Sequence, residues 1–126
     1  MDATISSLVA TIEADEGIDR RLAAARTLAA ARDAGVVGPL LELFLRLRDD
    51  GRKELTLWAL HEVVERLGSR VPAAELQRIA ALSPAELPES IYHPNALRQT
   101  MMDEDRFAVR ISEVKALARK LLRRVE

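Results

Sequence analysis

The 126 residues contain no cysteine. The chain can therefore form no disulfide, carry no thiolate nucleophile and build no cysteine-ligated zinc site, and a reducing, cytoplasmic location is expected. Aromatic residues make up only 3%, namely Phe44, Trp58, Tyr92 and Phe107, which leaves few rings for stacking bases or lining a catalytic cleft. The only histidines are His61 and His93; neither has a second histidine one helical turn away, so no metal site is expected. The acidic run Asp103-Glu104-Asp105 reads as the first turn of a helix, where the dipole favours carboxylates. No Gly-rich phosphate loop, nucleophile elbow or credible acid–base pair appears, so neither an enzyme nor a cofactor is expected. No apolar run approaches the length of a membrane span, and the opening residues lack the basic start of a signal peptide. Nor is there an excess of charge: 19 basic residues face 20 acidic ones for a net charge of -1, so electrostatic recognition must be local.

What is abundant is alanine, leucine and arginine, a composition that favours helix over strand. Ile5, Leu8, Val9 and Ile12 recur at i, i+3, i+4 and i+7, placing one apolar stripe on a helix over about 2–15. A second helix is expected from Asp19 as N-cap to Gly35 as left-handed C-cap. Pro39 suits the first turn of a third, "PLLELFLRLR", apolar around most of its circumference except Glu42 and Arg46 and therefore central. After the turn signal "DDG", residues 52–67 form a fourth helix with a core stripe through Thr56, Leu60, Val63, Val64 and Leu67. Gly68 ends it, and Pro72 opens a fifth.

"GVVGPLLEL" from Gly35 and "GSRVPAAEL" from Gly68 are thus two copies of one corner, thirty-three residues apart. That period, spent on two helices and two turns, is the mark of stacked helical hairpins. A second recurrence agrees with it. Arg21, Lys53 and Arg110 each precede a leucine (Leu28, Leu60, Leu117) by seven residues, about 700° of helix, so each cation lies in line with the packing face. Burying the stem and holding the head near a carboxylate resolves the cost, with Asp15 or Glu16, Asp49 or Asp50, and Asp103 or Asp105 as candidates.

With Pro39, the aspartates at 49–50, Lys53 and Ala59-Leu60 in its places, residues 36–68 resemble a HEAT repeat, and Val109-Arg110 with Ala116-Leu117 resemble the second helix of another. The chain departs from the family pattern at Arg52-Lys53, where valine-arginine is usual, and at Glu113. The resemblance implies an all-α fold: a right-handed stack of helical hairpins (a HEAT-like α-solenoid) of about three hairpins plus an N-terminal helix, in one domain over 1–126. It also implies a habit of binding proteins or nucleic acid rather than a reaction. An irregular insertion is expected at 83–102, where three prolines interrupt the last repeat.

Trp58 lies about 160° from Leu60 on the helical wheel, with Leu55 beside it. They point away from the core stripe and need cover from the 83–102 segment, a neighbouring hairpin or a partner; Tyr92 is their natural neighbour. Leu55, Trp58 and Tyr92 are the expected partner-binding residues. Arg106, Arg110, Lys120 and Arg124 follow one flank of the last helix, a dipole-complementing arrangement that could also hold phosphates. The expected function is a protein–protein interaction module, an adaptor or subunit of an assembly, with nucleic-acid backbone binding as the alternative. Self-association through the last hairpin is a further possibility, and no membrane contact is expected.

Overall fold

The computed structural model describes residues 3–14, 17–47, 50–82 and 97–125, with the side chains of 3, 18, 50, 51, 97–108 and 125 outside that description. Six α-helices follow in order: α1 (Ala3–Glu13), α2 (Ile18–Ala29), α3 (Val37–Arg46), α4 (Asp50–Leu67), α5 (Ala73–Ala80) and α6 (Leu97–Val125). Among the described residues there is no strand. Consecutive helices pair, α1 with α2, α3 with α4 and α5 with α6. Helices also touch every second neighbour: α3 lies against both α1 and α5, and α4 against both α2 and α6. First helices therefore form one row and second helices another. The N-terminal helix α1 packs against the alanine-rich α2 and against α3.

The burial pattern follows from the sequence periodicity. Ile5, Val9 and Ile12 are buried on α1, and α3 buries Val37, Leu40, Leu41, Leu43 and Phe44 while exposing only Glu42 and Arg46. Thr56, Leu60, Val63, Val64 and Leu67 are all buried on α4, joined by Leu57 and Ala59. Each large side chain so buried is worth about 1.5–3 kcal/mol. The Thr56 hydroxyl donates to the Arg52 carbonyl at 2.7 Å, which satisfies a polar group inside the core. On α2 the buried face is Ala24, Ala25, Leu28 and Ala29, and small side chains let α1 and α4 approach closely.

The two glycine–proline corners occupy equivalent places, before α3 and before α5, and each contains a 3₁₀ turn: Ala34–Val36 in the first and Gly68–Arg70 in the second. They differ in detail. Gly68 has the expected left-handed φ of 56°, whereas Gly35 does not have a positive φ. The reason is that α2 has already ended at Ala29, closed by Ala30 at φ -88°, and the Asp33 carboxylate accepts the Gly35 N–H at 2.9 Å. That hydrogen bond fixes the turn without a left-handed residue. Asp19 likewise is not the N-cap of α2; Gly17, at φ 113°, precedes the helix and Asp19 stands in its first turn. Pro72 is the N-cap of α5, and Pro39 sits within the first turn of α3. Residues 97–102, expected to be irregular, are the start of α6, and residues 83–96 lie outside the described residues.

Gly68→Ala is expected to lower stability by about 1 kcal/mol, because a Cβ disfavours left-handed backbone. The nearest atom to such a Cβ, Leu121 Cδ2, is 3.9 Å away, so the cost is conformational and not steric. Urea unfolding measures it; an unchanged midpoint would mean that the corner relaxes to negative φ without loss.

Candidate interaction surface

The carboxyl end of a helix leaves carbonyls without intrahelical partners and carries partial negative charge. Three basic residues of α4 answer this need in three other helices. Arg52 Nη1 donates to the Glu13 carbonyl at the end of α1. Lys53, only 3% exposed, donates to the Phe44 and Leu47 carbonyls at the end of α3, at 2.8 and 3.3 Å, with its ammonium 4.3 Å from the centre of the Phe44 ring. Arg66 reaches the end of α2, donating to Ala31 O at 2.7 Å and to Ala29 O.

Other cations link helices within each row. Arg46 on α3 forms a two-pronged pair with Glu13 on α1, at 3.1 and 3.2 Å, and Arg78 on α5 pairs with Glu42 on α3. Between α4 and α6, Arg110 Nη1 lies 3.3 Å from His61 Nδ1. A guanidinium can only donate, so a hydrogen bond here uses His61 Nδ1 as the acceptor, and Nε2 of the ring faces Glu65 Oε2 at 3.8 Å. Of the three cations in line with leucines, Lys53 is buried and Arg21 and Arg110 are half-buried, one on the second helix of each hairpin.

The solvent-facing strip of α4 carries Leu55, Trp58, Glu62 and Glu65, spaced i, i+3, i+7 and i+10. Glu62 and Glu65 are exposed, while Leu55 and Trp58 are half-buried and rest against the core. The described residues therefore cover Trp58 in part. Tyr92, their expected neighbour, lies outside the described residues.

On α6, Ile111, Val114, Ala118 and Leu121 are buried, which turns Lys120 and Arg124 to solvent as the sequence implied. Arg110 is occupied by His61, and the side chain of Arg106 lies outside the described residues. Arg119 and Arg123, which were not singled out in the sequence, are also exposed; their position opposite the buried stripe was the available signal. Two depressions lie among the described residues. One, of about 490 Å³, lies between α1 and α3 over Val9, Ala10 and Pro39, rimmed by the paired Glu13, Glu42 and Arg46. The other, about 410 Å³ and shallow, runs along Val109, Ser112, Glu113 and Ala116 of α6, where Val109 is 55% exposed.

Among the described residues no group of three histidine or carboxylate side chains is placed to hold a metal ion, and no helix is long and apolar enough to cross a membrane. Comparison with family models, curated proteins and solved structures yields no match.

Proposed function

We propose that the chain is a non-catalytic protein–protein interaction module, a small cytoplasmic adaptor or assembly subunit built as a right-handed, HEAT-like stack of three hairpins. The alternating neighbour pattern of the helices, the two equivalent corners and the recurring cation on each second helix support that architecture. The binding reading rests on one observation: Trp58 and Leu55, large apolar side chains on the middle helix of the second row, are left half-open on a strip bordered by Glu62 and Glu65. A partly open tryptophan on a rigid helix is the kind of residue that dominates binding energy. The two carboxylates favour a partner segment with an apolar anchor and basic flanks.

Trp58 is the sole tryptophan, so its emission reports on its own cover. A bound partner should shift that emission to the blue. Trp58→Ala should weaken binding by about 2 kcal/mol, roughly thirty-fold, and the exposed Glu62→Lys should weaken it with the fold intact. A partner, captured from a native extract and then titrated in purified form, that binds both variants as tightly as wild type would remove this surface from the function.

A further inference from the structure

We infer that the carboxyl end of α6, together with Arg70, is a docking site for the phosphate backbone of double-stranded nucleic acid. This site is separate from the Leu55–Trp58 strip. Arg119, Lys120, Arg123 and Arg124 are exposed on the last turns of α6. The second corner turn packs against α6, with Gly68 facing Leu121, and places the exposed Arg70 on the same end of the hairpin. Six other cations serve the fold: Arg46, Arg52, Lys53, Arg66, Arg78 and Arg110 each hold a carboxylate, a helix-end carbonyl or a histidine, whereas Arg26, Arg32 and Lys115 have no such partner among the described residues but do not form a cluster of four within two turns. Among the described residues, no ion pair or hydrogen bond engages the side chains of Arg70, Arg119, Lys120, Arg123 or Arg124. One or two cations would be enough to complement the helix dipole.

Charge density identifies the occupant. Residues 119–124 span about 8 Å of helix, so their four cations stand on average about 2.5 Å apart along its axis, between the ~1.7 Å per phosphate of a whole duplex and the ~3.4 Å of one of its strands. An anionic membrane is a poorer fit, since the apolar face of α6 is buried against the protein and cannot insert. An acidic protein is also a poorer fit, because no aromatic lies among these cations and the large apolar side chain between them, Leu122, is half-buried against the core.

The test is anisotropy of a labelled, random-sequence DNA duplex titrated with the whole chain at several salt concentrations. Sequence-independent binding is expected, with a Kd of about 10⁻⁴–10⁻⁶ M near physiological salt and log K falling with log salt at a slope of about -4. Replacing Arg119, Arg123 and Arg124 together by glutamine should flatten the slope by about 3, and Arg70→Ala, off the helix, by about 1. Circular dichroism checks that helix content is retained. Trp58→Ala should leave duplex binding unchanged, so failure here and failure of the protein-binding strip are read separately. A slope unchanged in the Arg70→Ala variant, equal competition by polyglutamate of matched charge, or binding to phosphatidylserine vesicles in place of duplex would each overturn the assignment.

Discussion

Replacing Lys53 with alanine should lower the unfolding free energy by about 3 kcal/mol and the Tm by roughly 10 °C. The ammonium is almost fully buried and satisfies the Phe44 and Leu47 carbonyls at the end of α3 while lying over the Phe44 ring. Truncation removes the ammonium donor from both carbonyls, at about 1–3 kcal/mol where a buried acceptor is left unsatisfied, and forfeits a cation–π contact worth about 1–2 kcal/mol when desolvated. Part of this loss is offset because a buried charge no longer has to be stripped of water. Lys53→Met separates the contributions. It keeps the packed stem and loses only the donor and the charge, so about half the alanine effect should remain. Thermal and urea unfolding of the three proteins measures this; a Met variant as stable as wild type would mean that the stem, not the ammonium, matters.

Lys53 also shows where the sequence stops being legible. Its seven-residue spacing from Leu60 correctly placed it on the packing face, because that inference needs only the pitch of one helix. Its carbonyl partners were not readable, because the bonds to Phe44 and Leu47 cross from one helix to another and a backbone carbonyl has no residue identity to leave a pattern; the expected partners, Asp49 and the Asp50 carboxylate, lie outside the described residues. The same holds for Arg52 at Glu13 and Arg66 at Ala29 and Ala31, which join residues 35 to 39 positions apart. Glu42 and Arg46 were legible as the polar strip of α3 because everything else on that helix is apolar. Gly35 was misread as a left-handed cap because a glycine before a proline-led helix looks alike whether the preceding helix ends at it or, as here, at Ala29. The wheel set Trp58 apart from the core stripe, and the structure half-buries it against the core, while the contact of Arg110 with His61 required the register of α6 on α4, which no single-helix argument supplies.

The division of cations follows from that architecture. Helix α4 packs against α1, α2 and α3, so its basic residues can serve the carboxyl ends of all three at once. On α6 the described helices that pack against it are α4 and α5. Its terminal arginines therefore face outward, and binding chemistry can accumulate there without cost to the core.

Phe44→Ala should be the most damaging single change, at about 4 kcal/mol, and its cost should be shared with Lys53. The ring is fully buried on α3, the helix that touches α1, α4 and α5, so its removal leaves a cavity in the core that the packed helices around α3 restrain from closing. Much of the lost stability is transfer free energy plus the unfilled volume, at about 24 cal/mol per Å³. The ring also faces the Lys53 ammonium. Once the ring is gone, water entering the cavity can solvate that ammonium and the α3 carbonyls, so Lys53→Ala on the Phe44→Ala background should cost less than on wild type by about 1–2 kcal/mol. A double-mutant cycle by urea unfolding reads that coupling. If the two losses simply add, the ring and the ammonium act as independent parts of the core, and the end of α3 is held by its hydrogen bonds alone.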